Sequence, residues 1–207
     1  MVVRRVFPLF LILFLLGPFF SLTAQENDNP NEIPAEPDWN GALPELYARG
    51  DKIFALSAGV LFPVLFLDGQ GEVRTSNITV GGAFSLAFNY FFTTHLYVGG
   101  EIGFTFAGTK NNMVYIVPIG ARVGYQFLLG RFEFPLSLMI GFAPQTYLKK
   151  NYLGLFIKPQ ASAYWRVNSD WSFGLNLGWW WVPEWPIDHN DRYGNFIELT
   201  LSARYHL

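Results

Sequence analysis

Hydrophobic and polar positions alternate one by one along most of the chain after Asp51. In segment 196–207, every second residue from Ile197 to Leu207 is apolar or aromatic, and the residues from Glu198 to His206 between them are polar. Successive side chains of a β-strand point to opposite faces. The pattern therefore predicts a strand with one apolar and one polar face.

The same alternation predicts eight strands, at residues 52–62, 78–91, 95–107, 114–127, 132–143, 155–167, 171–182 and 196–207. Each has about the 9–11 residues that a tilted membrane-spanning strand needs. The connections alternate between short turns (92–94, 128–131, 168–170) and longer loops (63–77, 108–113, 144–154, 183–195). This arrangement is typical of outer-membrane β-barrels, whose short turns face the periplasm.

The residue types of the two faces decide which one points outward. Alternation alone also fits a soluble sandwich or a lipocalin-like barrel. Here, however, the polar face consists mainly of Gly, Ala, Ser, Thr and Asn with few charges, whereas the other is continuously Leu, Ile, Val and Phe. In water the second face would be a very large exposed hydrophobic surface that promotes aggregation. The prediction is an all-β, eight-stranded antiparallel up-and-down transmembrane β-barrel with its apolar face in lipid.

Composition agrees with this prediction. The 207 residues are 51% hydrophobic and only 14% charged, against about 25% charged in soluble domains. After residue 24 no apolar run approaches the ~18 residues of a spanning helix. A closed β-barrel is therefore the remaining way for this chain to cross a membrane. The sequence has no cysteine, which excludes lipoprotein acylation, disulfides and thiolate metal sites.

The N-terminal region predicts two further segments. Residues 1–24 have Arg4 and Arg5, then an apolar run, then small residues, which indicates a signal peptide cleaved after Ala24. An uncleaved anchor is the alternative. Residues 25–50 carry four prolines, six acids and one base, which predicts a mobile periplasmic tail. Four of its side chains could dock on another surface: Trp39, Leu43, Leu46 and Tyr47. The barrel domain is then 51–207.

Tyr205 and Leu207 resemble the C-terminal insertion signal of bacterial outer-membrane barrels. Residues 51–207 resemble the small eight-stranded proteins of the OmpX, OmpA transmembrane-domain and OmpW type. The resemblance implies the outer membrane of a diderm bacterium, contact with its lipid, insertion by the barrel-assembly machinery, and a monomer. The terminal Leu departs from the usual Phe. Three prolines inside the predicted strands indicate bulges or misplaced boundaries: Pro118, Pro135 and Pro159.

Aromatic residues collect near the predicted strand ends, as in the interfacial girdles of membrane barrels. Those near the short turns are Tyr90, Tyr125, Phe127, Phe132, Trp165, Trp171 and Tyr205, and those toward the loops are Trp179 and Trp181.

Seven charged residues fall on the predicted interior face: Glu101, Arg122, Glu133, Lys158, Arg166, Glu198 and Arg204. Counted from the short turns, Glu101 matches Arg122 in height, and Lys158 matches Glu198 across Asn176. Buried charges must be paired, so we expect these two pairs to plug the lumen. The resemblance to the OmpA barrel implies a similar interior salt-bridge set. A gate is the alternative interpretation of the same residues.

The candidate functions follow from this picture. The first is a non-catalytic barrel with an envelope-structural or surface-interaction role. The second is an OmpW-like conduit for small hydrophobic molecules, with an apolar mouth formed by Ile116, Phe156, Trp180 and Phe196. The third is a lipid-modifying enzyme that uses His189. We expect no catalytic residues, no cofactor, no metal site and no nucleic-acid partner, although Asp188 and Asp191 leave Ca²⁺ binding open.

Overall fold

The computed structural model describes residues 47–68, 70–74, 78–109, 112–147, 150–184 and 192–207. The predicted signal peptide, the tail up to residue 46, and the loop residues Asp188, His189 and Asp191 lie outside the described residues. In the described ranges, no helix is long and apolar enough to cross a membrane.

The described residues form antiparallel strands that pair in a closed ring. They are β1 (Lys52–Asp68), β2 (Val73–Arg74), β3 (Gly81–Phe91), β4 (Leu96–Gly108), β5 (Met113–Ile116), β6 (Ile119–Leu129), β7 (Phe132–Tyr147), β8 (Lys150–Arg166), β9 (Trp171–Glu184) and β10 (Arg192–His206). The strands pair in the order β10-β9-β8-β7-β5-β4-β3-β1, β6 pairs with β4 and β7, and β10 pairs with β1 from Ile53↔His206 to Asp68↔Arg192. The predicted up-and-down barrel is confirmed.

Two of these strands change the count of membrane crossings. β5 and β6 face β4 in one continuous register, with Thr105 opposite Ile116 and Ile102 opposite Ile119. They therefore form a single crossing that is interrupted at Pro118. β2 is a two-residue strand that pairs only with the loop-side end of β1. The crossings in the described chain are thus the eight that alternation predicts.

The predicted loop at 144–154 is wrong. β7 continues to Tyr147 and β8 begins at Lys150, with pairing that includes Pro144↔Leu153. Pro144 and Gly154 suggested a break, but the Pro144 carbonyl still accepts a hydrogen bond from Val117 N at 2.9 Å. Pro144 lacks only its own donor, so it fits in the arm of a hairpin. β1 and β10 likewise extend beyond their predicted bounds, to Asp68 and from Arg192.

The in-strand prolines do not produce the expected bulges. Pro118 breaks a strand without a register shift, and the pairing of β7 with β8 keeps one register on both sides of Pro135 and through Pro159. Each proline removes one donor from a ladder without inserting a residue. The register shift lies instead between β1 and β10, at Pro63/Leu65.

The barrel wall separates two chemically different faces. Leu175 on β9 is 51% exposed and points outward, whereas Met139 on β7 is 1% exposed and points inward. Large apolar side chains are exposed in this way on every crossing, and the buried polar side chains lie between them in the sequence. An exterior of this kind is stable only against hydrocarbon.

Close approach of β6 and β7 depends on a pair of facing glycines, Gly120 and Gly141. A Cβ at Gly141 would overlap the Ile119 carbonyl oxygen and the Gly120 Cα, which are both backbone atoms. We expect Gly141→Ala to lower the free energy of unfolding by about 1–3 kcal/mol, the usual cost of overpacking. Urea titration of the barrel in lipid vesicles measures it.

Gly100 provides the matched control for this substitution. It lies on the outer face of β4, where an added Cβ would meet only the Gly120 carbonyl oxygen, at 3.8 Å. Gly100→Ala should leave the unfolding midpoint unchanged. Equal effects of the two substitutions would contradict the close packing of β6 on β7.

Candidate functional site: the barrel lumen

The lumen is filled by side chains in successive layers from the loop end of the barrel to its tight-turn end. The layer at the loop end is an apolar cluster made of Leu61, Val114, Ile116, Met139, Ala143, Phe156, Trp180, Val182 and Phe196. Within it the Phe156 and Trp180 rings stack at 5.3 Å. The four residues that would form the mouth in the alternative conduit hypothesis are therefore buried in one cluster.

Below the apolar layer lies a group of ion pairs that we call the mid-lumen network: Glu101, Arg122, Lys158 and Glu198. Glu101 on β4 accepts hydrogen bonds from Arg122 on β6 and, at 2.6 Å, from Lys158 Nζ on β8. Lys158 Nζ also lies 3.5 Å from Glu198 Oε1 on β10. Lys158 thereby joins the two predicted pairs into one electrically neutral network that crosses the lumen.

Trp180 connects this network to the apolar layer above it. Its indole Nε1 donates to Glu198 Oε2 at 2.8 Å, and the Lys158 ammonium lies 4.9 Å from its ring centroid. Lys158 itself is 1% exposed. Every charge of the network is thus buried and has at least one partner of opposite sign, as charges in a low-dielectric interior require.

The residue between Lys158 and Glu198 is Gly178, and the prediction of Asn176 is wrong. Gly178 pairs with both Gln160 and Glu198 across β8, β9 and β10. A Cβ there would already lie 3.4 Å from Lys158 Cδ. The missing side chain leaves the room through which Lys158 reaches Glu198.

Asn176 belongs to an uncharged polar layer nearer the tight turns. Its amide donates to Thr200 at 3.0 Å and to Ser57 at 3.3 Å, and its carbonyl oxygen accepts from the Tyr164 hydroxyl at 2.5 Å. Ser57 in turn donates to Ser202 at 2.9 Å. This layer ties β1, β8, β9 and β10 together by hydrogen bonds, because no charge is present to do so.

Near the tight turns, Glu133 on β7 is the centre of a second charged cluster. It is 0% exposed, and its carboxylate lies 3.6 Å from Arg204 Nη1 and 3.9 Å from Arg166 Nη1. The Arg204 guanidinium also lies over the Tyr164 ring at 3.5 Å. The remaining three predicted interior charges are thus brought together here, in one group separate from the mid-lumen network.

Tyr47 completes this second cluster, so the interpretation of residues 47–50 as mobile tail is wrong, and the contacts of Tyr47 support the alternative that it docks on another surface. Its ring is 3% exposed, and its hydroxyl donates to Glu133 Oε1 at 2.8 Å. Burial raises the pKa of this hydroxyl above its usual range, and the nearby Glu133 carboxylate raises it further. The group therefore stays protonated and remains a donor. Composition hid this role, because the segment continues the acidic, proline-rich sequence before it.

A serine and a histidine also meet at this end. Ser172 Oγ lies 2.7 Å from His206 Nε2, and His206 Nδ1 lies 3.1 Å from the Tyr47 hydroxyl. Alternation gave no sign of this contact, since the two residues are distant in sequence. Ser172 is 0% exposed, and the contact fastens β9 to β10.

The other histidine in the described ranges does not form a comparable site. His95 Nδ1 lies 2.8 Å from the Thr94 hydroxyl, and its ring stacks on Tyr125 at 5.3 Å. Among the described residues, no three His, Asp or Glu side chains gather as a metal ion would require.

The predicted girdle residues lie on the outer face near the strand ends. Trp171 and Tyr205 pack against each other at 5.0 Å near the tight turns, and Trp181 stacks on Tyr193 at 6.0 Å toward the loops. Leu207 N donates to the Lys52 carbonyl at 2.9 Å, so the predicted insertion signal lies at the seam between β10 and β1. Recognition of that signal by assembly machinery remains a prediction.

Comparison with known proteins supports the fold. An uncharacterized protein of Treponema pallidum is 39% identical over 95 residues, which are 45% of this chain and 43% of that protein. A second one from the same organism is 27% identical over 93% of this chain and 74% of its own length. The first relative is thus spanned over less than half of its length.

Among solved structures, Neisserial surface protein A is similar with a TM-score of 0.51 and 12% identity, over 75% of this chain and 96% of that one. This likeness shows the fold. The apolar exterior described above indicates that the barrel wall faces lipid. A protein-family model matches residues 30–205. The chain belongs to that family, and its fold is the eight-stranded β-barrel found in small outer-membrane proteins.

Proposed function

We propose that the protein is a closed, non-catalytic barrel that serves the outer membrane as a structural or surface-interaction component. The observation that carries the proposal is the mid-lumen network, which crosses the lumen from β4 to β10 below the apolar layer. An eight-stranded barrel has an interior that side chains just fill. Among the described residues, a lumen filled in this way supports a closed barrel without a continuous water path.

The alternative of a conduit for hydrophobic molecules requires space at the loop end. Phe156 and Trp180 are 0% and 1% exposed and stack on each other there. A passing molecule would have to separate these rings and expose Glu198, which Trp180 holds by a hydrogen bond. The packing therefore favours a closed barrel over a conduit.

Conductance across planar lipid bilayers tests the closed lumen. We expect the purified protein to show no steady channels, because the network and the apolar layer leave no continuous water column. Arg122→Ala and Glu198→Ala each remove one charge from the neutral network and leave one buried opposite charge in excess, which draws in water, so both variants should open more often.

Lys52→Ala is the control, since Lys52 lies exposed at the rim of the barrel. Steady channels in the unmodified protein would contradict the proposal. A change in the mass of membrane lipids on expression, if abolished by His189→Ala, would contradict its non-catalytic part.

A further inference from the structure

The tight-turn end of the lumen is closed by a side chain that comes from outside the strands. Tyr47 precedes β1, yet its ring lies inside the barrel opening, stacked on Phe91 with centroids 4.2 Å apart and an interplanar angle of 3°. Phe91 is itself 0% exposed and packs on Tyr97 at 5.3 Å. The Tyr47 ring thus covers the last apolar layer of the lumen.

The residues around Tyr47 complement both parts of its phenol group, the ring and the hydroxyl. Phe91 supplies a flat apolar wall. The Arg166 guanidinium lies over the Tyr47 ring, 5.2 Å from its centroid, in a favourable cation–π contact. Glu133 Oε1 accepts a charge-assisted hydrogen bond from the Tyr47 hydroxyl at 2.8 Å. His206 Nδ1 lies at 3.1 Å from the same oxygen.

The pocket and its occupant are held by different parts of the chain. Phe91, Glu133, Arg166 and His206 lie on β3, β7, β8 and β10, which are fixed by the barrel ladders. Tyr47 lies before β1, and the turn that follows it is fixed by Ala48 N, which donates to Asp51 Oδ2 at 2.8 Å, and by Gly50 N, which donates to the Phe91 carbonyl at 2.9 Å. The wall therefore keeps the shape of the pocket when the ring is removed.

We propose that the tight-turn end of the lumen is a phenol-binding site. Tyr47 fills this site as an internal ligand and thereby closes that end of the barrel, and we call its side chain the stopper. The inference goes beyond the closed lumen proposed above, which depends on the mid-lumen network. The two are separable, because the stopper controls entry of solute from the tight-turn side, whereas the network controls passage through the whole barrel.

Because the sequence has no cysteine, a single introduced thiol reports access to the lumen. Ser57 is 6% exposed and lies in the uncharged layer between Tyr47 and the mid-lumen network. In the Ser57→Cys variant, a small charged methanethiosulfonate should react slowly. Adding Tyr47→Ala should accelerate the reaction by about tenfold or more, since an aromatic stack and a charge-assisted hydrogen bond are lost. Tyr47→Phe keeps the ring and should react much more slowly than Tyr47→Ala.

Ligand rescue tests the binding site itself. Added p-cresol should restore slow labelling to the Tyr47→Ala barrel, and toluene, which lacks the hydroxyl that Glu133 accepts, should protect it less. Slow labelling of Tyr47→Ala without any ligand would overturn the stopper. Protection by toluene equal to that by p-cresol would overturn the phenol site.

Two further variants keep the test independent of folding. Tyr125→Ala removes a tyrosine that is 44% exposed on the outer face and should leave labelling slow. Phe91→Ala removes the opposite side of the stack with Tyr47 in place, and should accelerate labelling. Each barrel is verified as folded by its heat-dependent mobility in detergent gels before its rate is counted.

Discussion

Replacing Lys158 with methionine is expected to lower the free energy of unfolding by about 3–5 kcal/mol, the usual cost of breaking a buried ion pair from one side. Lys158 is the cation shared by Glu101 and Glu198. Without it Glu198 keeps only the Trp180 indole as a donor, and Glu101 keeps Arg122. The substitution therefore leaves one buried negative charge in excess. Urea titration in lipid vesicles measures the loss.

A double variant distinguishes charge from packing in this experiment. Lys158→Met with Glu198→Gln removes both members of one pair, and Trp180 can still donate to the glutamine oxygen. We expect the double variant to be more stable than Lys158→Met alone, because the uncompensated charge is gone. Equal or lower stability of the double variant would contradict an uncompensated charge on Glu198 as the cause of the loss.

Placing a lysine at Leu175 is expected to lower the free energy of unfolding by about 2–4 kcal/mol, the cost of a cation near the bilayer midplane. Leu175 is 51% exposed on the outer face of β9 and pairs with Leu201 and Ala163 in the wall. The cost arises because the ammonium must leave water or drag water into the hydrocarbon. Refolding into lipid vesicles at graded urea concentrations measures it.

Leu153→Lys is the matched control for this substitution. Leu153 is 69% exposed in the loop-side arm of β8, where the same charge should cost about 0–1 kcal/mol because interfacial water reaches it. Similar costs at the two positions would contradict the orientation of the apolar face toward lipid.

Alternation was sufficient to predict the architecture, because a barrel wall imposes a strict two-residue period on every crossing. It also placed Glu101 and Arg122 at one height, since neighbouring strands keep a simple register. It could not predict that Lys158 also reaches Glu101, because β4 and β8 meet only across the lumen. Because neighbouring strands are staggered, Gly178 lies between Lys158 and Glu198. Counting residues from the turns without stagger placed Asn176 there.

Other predictions were wrong because they relied on local composition, whereas strand pairing and packing decided the structure. Pro144 suggested a loop, yet it lies in a hairpin arm whose partner strand holds it. Tyr47 was assigned to an acidic, proline-rich tail, although the left-handed Gly50 (φ 107°) marks a turn directly before β1. The sequence named Tyr47 only as one of four side chains able to dock, because a single aromatic residue at the end of a polar segment forms no periodic pattern. The assembled pocket of Phe91 and Glu133 shows where it docks.

The pairing of β1 with β10 has a consequence for biogenesis. This seam joins Lys52–Asp68 to Arg192–His206, the two most distant strands of the barrel, so the ring cannot be completed before β10 has been synthesised and delivered. Until then two strand edges expose amides that hydrocarbon cannot satisfy. A one-residue slip on docking would turn Glu198 and Arg204 toward lipid. Final insertion is therefore expected to be post-translational and to select the correct register of this last strand.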